Sequence, residues 1–204
     1  MKPLGIILAG GLSSRMGGGD KPLKTIDGTT ILQRIIDRIE PQCSGLVINA
    51  NGDPDRFARF GLQVVADTID GFAGPLAGIL AGMDWCSEHH PATETILSVA
   101  ADCPFLPRDL VERLEGARQT ASLPLCAAAS GGWTHPVIGL WPISARHALR
   151  QELMAGNRKI DRFTPKLGIT HAEWPIDPYD PFFNANAPDD ISVAEELAVR
   201  FPEA

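Results

Sequence analysis

The densest concentration of reactive residue types lies in one stretch, Leu8-Ala9-Gly10-Gly11-Leu12-Ser13-Ser14-Arg15-Met16-Gly17-Gly18-Gly19-Asp20-Lys21. Its five glycines let backbone N–H groups close around a phosphate chain, because a Cβ would block the approach or forbid the dihedral angles. Arg15 adds a planar fork and Lys21 a compact ammonium, two ways of neutralising phosphate charge. A glycine-rich surface loop with no ligand is the plain alternative, and two cations directly after an apolar run weigh against it. The GxxxxGK[ST] spacing is absent, since Pro22 follows Lys21, and so is GxGxxG. A P-loop NTPase and a dinucleotide oxidoreductase thereby lose their main support.

Asp102 follows the apolar run Thr95 to Ala100 and precedes Cys103-Pro104. A hard oxygen donor there suits Mg²⁺, which takes one or two carboxylates and completes its shell with substrate phosphates and water. The competing role is a cap on the turn before Pro104. Asn49 closes another apolar run, and its amide offers both a donor and an acceptor for a base or ribose; a turn beside Asn51-Gly52 is the competing account. No GxSxG elbow, HExxH helix or Cys-His dyad is present. Transfer between two phosphates needs no protein nucleophile, because it is a problem of charge, met by positioning and neutralisation.

These residues need elements to hold them. Short apolar runs, Leu4 to Leu8, Gly45 to Asn49, Gln63 to Ala66, Thr95 to Ala100, Leu125 to Ala129 and Val137 to Trp141, alternate with amphipathic stretches up to about Ala155. This is the pattern of βαβ units, and it predicts a three-layer α/β/α fold on a mostly parallel sheet. Thr30 to Glu40 reads as a surface helix with Ile31, Leu32, Ile35, Ile36 and Ile39 inward and Gln33, Arg34, Asp37, Arg38 and Glu40 outward. A second helix, Pro75 to Glu88, turns Ala77, Gly78, Ala81 and Gly82 to the sheet; a third starts at Pro107 and a fourth spans Ser144 to Met154. A last helix is capped near Asp189 or Asp190. With no repeat or linker visible, residues 1–204 read as a single domain. In such sheets ligands sit at the carboxyl ends of the strands, where the glycine loop, Asn49, Asp67, Asp102 and the Gly131 to Pro136 loop fall.

Composition narrows the classes. With 44% apolar and 21% charged residues the chain can bury a core without staples. A net charge of -7 speaks against a general nucleic-acid binder. Seven of the 25 acids but one of the 18 bases fall between Asp177 and Ala204, so the rest is nearly neutral and the end reads as a solvated acidic surface. Cys43, Cys86, Cys103 and Cys126 form no CxxC pair and read as packed, reduced thiols. Without an apolar run long enough to span a bilayer, a cytoplasmic protein that avoids membranes is expected.

The loop Leu8 to Lys21 resembles the signature of the molybdenum cofactor guanylyltransferases, within the wider Rossmann-like nucleotidyltransferases. The resemblance continues through Asn49-Ala50-Asn51, Asp67, Gly74 to Gly78, Asp102-Cys103-Pro104-Phe105, His135-Pro136 and Asn184-Ala185-Asn186. It implies transfer of GMP from GTP to the terminal phosphate of molybdopterin, with magnesium and release of pyrophosphate. On this resemblance Lys21, Arg15 and Asp102 are catalytic and Asp102 holds the metal; Leu8, Ala9, Gly10, Gly11, Lys21, Asn49, Asp67 and Asp102 bind the nucleotide. Gly10, where related cytidylyltransferases carry a second alanine, favours guanine. Asp67 competes with nearby Asp70 for a simple capping role. Asn184 and Asn186 stand beside the site. His135 is a candidate for the pterin phosphate, as is the basic group Arg158, Lys159, Arg162 and Lys166, for which a solvated face is the alternative. Gly17-Gly18-Gly19 predicts a loop that closes on GTP and Mg²⁺. The rival activities are CMP transfer to the same cofactor and nucleotidyl transfer to a sugar or alditol phosphate; a GTP-binding carrier that partners molybdoenzymes or their chaperones is the non-enzymatic rival.

Overall fold

The computed structural model describes residues 1–10, 21–69 and 74–202. Strands β1 (Leu4–Leu8), β4 (Gly45–Asn49), β5 (Gln63–Val65), β6 (Thr95–Ala100), β7 (Leu125–Ser130), β8 (Trp133–Pro142) and β9 (Ile169–Trp174) form a seven-stranded sheet in the order β5-β4-β1-β6-β8-β7-β9. All run parallel except β8, which is antiparallel to both β6 and β7. A separate two-stranded ribbon, β2 (Thr25–Ile26) and β3 (Thr29–Thr30), follows the glycine loop.

Helices cover both faces. On one side α1 (Ile31–Ile39), α3 (Leu110–Ala121) and α6 (Pro188–Arg200) pack over one core; on the other, α2 (Pro75–His89), α4 (Arg146–Met154) and α5 (Ile160–Leu167) pack over a second. The sheet divides the two because successive side chains of a strand face opposite ways: Ile6 joins the α2 core and Ile7 the α1 core. The three-layer, mostly parallel fold expected from the alternation is the one observed.

Two local features set the shape around the site. On α2, Gly78 and Gly82 lie flat on the sheet; a Cβ at Gly82 would reach 1.6 Å from Ile6 Cδ1, and one at Gly78 would reach 2.1 Å from Asn49 Oδ1. The small stripe read from the sequence is therefore what lets α2 approach β1 and β4. Between β7 and β8, Gly131 and Gly132 both have positive φ, 55° and 82°, as a tight two-residue hairpin turn with right-handed strand twist requires.

Several expectations change. The segment Gly131 to Pro136 is not a loop: β8 begins at Trp133 and pairs with Ser130, with a bulge between Ala127 and Ala128 that hid its first half from a pattern search. Strand β9 was missed, although Ala172 and Trp174 alternate with exposed His171 and Glu173. So was the β2–β3 ribbon, whose turn is Asp27-Gly28, both at positive φ. Arg38, expected outward, is buried and donates to the Leu106 carbonyl at 2.9 Å.

Candidate active site

The order of the strands reverses at β1, with β4 on one side and β6 on the other. Lys21 comes from the segment after β1 and Asp102 from the segment after β6. Lys21 opens a short 3-10 turn, Lys21–Leu23, in which Lys24 N–H donates to the Lys21 carbonyl at 3.1 Å. The β2–β3 ribbon fixes this turn: Ile26 is fully buried, its carbonyl accepts from Arg34 Nε and Nη2 at 3.2 and 2.9 Å, and Ile31 N–H donates to the Lys24 carbonyl. The lysine thus projects from a backbone clamped onto α1. Asp102 is fixed from two sides, by Ala101 N–H on the Leu8 carbonyl (3.2 Å) and by Ala185 N–H on the Asp102 carbonyl (2.9 Å).

The two side chains meet. Lys21 Nζ is 2.7 Å from Asp102 Oδ2, the side chains 13% and 25% exposed, and Lys21 also donates to Asn186 Oδ1. The Asn184 amide, its nitrogen turned to the carboxylate, donates to Asp102 Oδ2 at 2.8 Å and Oδ1 at 2.5 Å. Asn186 is held in turn by α6: the Asp190 carboxylate reaches back and accepts the N–H groups of Asn186 and Ala187 at 2.7 and 2.6 Å. This is the reciprocal half of a helix-start cap, with Pro188 at the first helical position.

Two strands away, about 10 Å along the sheet, a second cluster stands on the same rim. Asn49, nearly fully buried, donates to the Val65 carbonyl (3.1 Å) and to Asp67 Oδ1 (2.9 Å); Asn51 donates to Asp67 Oδ2 (2.9 Å) and accepts the Asp67 N–H (2.9 Å). Asn51, read from the sequence as a turn residue beside Gly52 and as part of the Asn49-Ala50-Asn51 resemblance, is the partner that orients Asp67. Leu8 and Ala9 tie the clusters together, since Ala9 N–H donates to the Asn49 carbonyl at 2.8 Å while the Leu8 carbonyl accepts Ala101 N–H. A Cβ at exposed Gly10 would come 3.4 Å from Asn49 Oδ1. An alanine would fit there with little adjustment, so the protein's own packing does not dictate the glycine.

A third group lies where β7 turns into β8. His135 Nε2 is 2.8 Å from Ser130 Oγ, and Ser130 donates to Asp180 Oδ1 at 2.9 Å, which also accepts Phe182 N–H at 2.9 Å. The His135 ring packs on Phe182 with centroids 4.8 Å apart. Burial pushes the His135 pKa down from the ordinary histidine value, opposed by the charges of Asp180 and Glu173, so the imidazole is neutral at pH 7. Asp190 caps the last helix as the sequence suggested, whereas Asp180, read only as part of a solvated acidic end, organises the segment that carries Asn184 and Asn186. Both were traceable: Asp180 stands two residues before the N–H it accepts, and Asp190 stands three after Ala187 at a proline-initiated helix.

The structure brings together Lys21, Asp102, Asn184 and Asn186, and separately Asn49 and Asp67. Gly11 and Arg15, with the expected closure of the loop, lie outside the described residues. Arg158, Lys159, Arg162 and Lys166 are all exposed, and Lys166 pairs with Glu152 at 2.6 Å. All four cysteines are free and buried, Cys43 pushed by burial up to about 12 and Cys126 to about 11, so none is a ready nucleophile. Among the described residues no group of three or more His, Cys, Asp or Glu forms a metal cage. Asp102 is left as a single partly exposed carboxylate, a donor set that fits a magnesium ion taking its other ligands from phosphates and water.

Chemically, an ammonium, a carboxylate and two amides converge at the strand-order reversal, where a phosphate chain would need both charge neutralisation and fixed donors. Residues 5–170 match the model of the MobA-like NTP transferase domain. The molybdenum cofactor guanylyltransferase of Rhodopseudomonas palustris (strain BisB5) is 56% identical over 196 residues, 96% of this chain and 93% of that protein. That of Bradyrhizobium sp. (strain ORS 278) is 57% identical over 195 residues, 95% of this chain and 92% of that protein. Among solved structures, the molybdopterin-guanine dinucleotide biosynthesis protein A of Archaeoglobus fulgidus superposes with a TM-score of 0.74 at 22% identity, covering 97% of this chain and all of that one. CMP:2-keto-3-deoxy-manno-octonic acid synthetase, solved with CTP, gives 0.74 at 14% identity and covers 98% of this chain and 99% of that one, a likeness of fold alone. Sequence identity of this order along nearly the whole length, together with a β1 loop and β6 end that meet in one charged cluster, makes this chain a member of the molybdenum cofactor guanylyltransferase family.

Proposed function

We propose that the chain transfers GMP from GTP to the terminal phosphate of molybdopterin, forming the guanine dinucleotide cofactor and releasing pyrophosphate. An oxygen of the acceptor phosphate attacks the α-phosphorus of GTP, the bond from that phosphorus to the bridging oxygen breaks, and the electron pair leaves with pyrophosphate. Lys21 exchanges one of its present partners for phosphate oxygens and offsets the charge that builds on the leaving group. Asn184 and Asn186 hold Asp102 and Lys21 in place while this happens, and Asn49 and Asp67 take the nucleoside. Arg15, from the glycine loop, completes the neutralisation of the triphosphate.

Magnesium belongs to this reading: Asp102 would hold it, and the ion would supply positive charge between carboxylate and phosphates. Among the described residues no helix is long and apolar enough to cross a membrane, and we place the reaction in the cytoplasm, with molybdoenzymes or their chaperones receiving the product. The observation that carries the proposal is the Lys21–Asp102 contact, flanked by Asn184 and Asn186, at the strand-order reversal. The test is mass detection of the guanylated pterin when GTP, Mg²⁺ and molybdopterin are mixed with the protein, with the other three NTPs and with sugar phosphates as parallel arms. Product from CTP, or pyrophosphate release with a sugar phosphate alone, would replace the assignment; GTP binding without product would make the chain a carrier.

A further inference from the structure

The β8 edge beside the site holds two features that phosphate transfer does not use. Ser130 is 1% exposed and has one hydroxyl proton, which it donates to Asp180 Oδ1. The contact between Ser130 Oγ and His135 Nε2 must then be made with Nε2 as the donor. A neutral imidazole protonated on Nε2 carries a bare lone pair on Nδ1. No hydrogen bond reaches that atom among the described residues, and the residue is partly exposed. Asp180 thus sets the tautomer through Ser130.

A lone pair is the wrong partner for a phosphate monoester, which at pH 7 is largely a dianion and offers only acceptors. It suits an N–H donor. Two residues back on the same strand stands Trp133, 77% exposed. The register Ser130↔Trp133 and Ala128↔His135 is regular here, so Trp133 and His135 face the same side of the sheet. A large indole left in solvent beside a fixed hydrogen-bond acceptor matches a flat heteroaromatic ring bearing N–H groups. The location is close to the reacting centre: Phe182, against which His135 packs, receives the Cys103 S–H on its carbonyl, and two residues further on, ~7 Å of extended chain, Asn184 contacts Asp102.

We propose that the Trp133–His135 edge of β8 is the subsite for the pterin ring of the acceptor, Trp133 stacking on the ring and His135 Nδ1 accepting one of its N–H groups. The acceptor's phosphate then reaches the Lys21 cluster from the far end of the same molecule. This rests on molybdopterin being the acceptor, and it turns His135 away from the phosphate for which the sequence made it a candidate.

The experiment uses the full chain, GTP, Mg²⁺ and molybdopterin prepared anaerobically, and reads the KM for molybdopterin, kcat and the Kd for GTP. His135→Gln keeps a group where Nε2 reaches Ser130 but loses Nδ1, whereas His135→Asn keeps an acceptor near the Nδ1 position. The expected result is a KM raised about tenfold in His135→Gln and in Trp133→Ala, the loss of one hydrogen bond or one stacking face, with the GTP Kd unchanged. His135→Asn and Trp133→Phe should recover most of the loss, and nitrogen NMR should show the Nδ1 of His135 unprotonated at pH 7. Unchanged KM in both deletion variants overturns the subsite. So does a loss confined to kcat together with the disappearance of one limb of the pH profile, which would make His135 a proton acceptor. Wild-type protein that yields no guanylated product overturns the activity itself and the subsite with it; wild-type turnover with unaltered variants overturns the subsite alone.

Discussion

Lys21 Nζ and Asp102 Oδ2 lie 2.7 Å apart although 81 residues separate them in the chain. One leaves β1 and the other leaves β6, neighbours in the sheet with Leu8 opposite Ala100. The parallel register brings the ends of β1 and β6 to one rim, and the Lys21–Leu23 turn held by the β2–β3 ribbon and α1 carries the lysine to Asp102.

If the pair carries the reaction, Lys21→Ala and Asp102→Ala should each lower kcat by ~10² or more, as removal of a principal charge stabiliser does. Both side chains stand at the rim, so thermal melting should shift little. Steady-state kinetics beside a melting curve checks both halves, and rates within a few-fold of wild type would remove these residues from the chemistry.

Gly78→Ala tests the approach of α2. The new methyl would meet Asn49 Oδ1 at 2.1 Å, Asn49 Cγ at 2.8 Å and Leu8 Cδ2 at 2.8 Å. Overpacking of this kind costs ~1–3 kcal/mol, and here it also displaces the amide that holds Asp67. Denaturant titration should show the lost stability and calorimetry a weaker GTP affinity; a neutral variant would mean that α2 slides freely on the sheet.

Asp190→Ala removes the carboxylate that accepts the N–H groups of Asn186 and Ala187. Loss of such a helix-start bond costs ~1 kcal/mol. Because Asn186 contacts Lys21, kcat should fall as well, several-fold and less than in Lys21→Ala. Asp190→Asn, which keeps one acceptor oxygen, should restore much of both. A variant with lower stability and untouched turnover would confine Asp190 to the helix.

The pH dependence of stability has a definite sign at His135. Its folded pKa lies below the ordinary histidine value of ~6.5 because burial disfavours the charged ring. Above that value both states are neutral and nothing is lost. As pH falls below it the unfolded chain binds the proton first, so stability drops until the folded pKa has been passed. The decline between wild type and His135→Asn, compared by denaturant unfolding from pH 7 downward, should be steeper in the wild type. Parallel curves would place the titration elsewhere.

The sequence made some parts of this site readable and hid others for a physical reason. The candidates Asn49, Asp67 and Asp102 were readable because a parallel sheet gathers the ends of its strands on one rim, and the structure places Asn49 against Asp67 and Lys21 against Asp102 there. Asn51 and Ser130 act by holding other residues, and that role depends on partners brought near by the fold: Asn51 and Asp67 are 16 residues apart, Ser130 and Asp180 are 50. Arg38 failed in the same way, since its amphipathic position points outward while it reaches the Leu106 carbonyl, 68 residues on. The β2–β3 ribbon was within reach through Asp27-Gly28, but strands of two residues fall below any periodicity. The bulge in β7–β8 broke the alternation that would have started β8 at Trp133.

Asn186 meets Lys21 across 165 residues, and this has a bearing on how the molecule is made. A ribosome delivers the glycine loop, β1, β4 and β6 well before the segment that steadies the lysine exists. A growing chain can build most of its sheet while the cluster of Lys21, Asp102, Asn184 and Asn186 is still incomplete. Premature termination before Asn186 should leave fragments that are inert, not partly competent, and competence should arrive abruptly as the last helix docks.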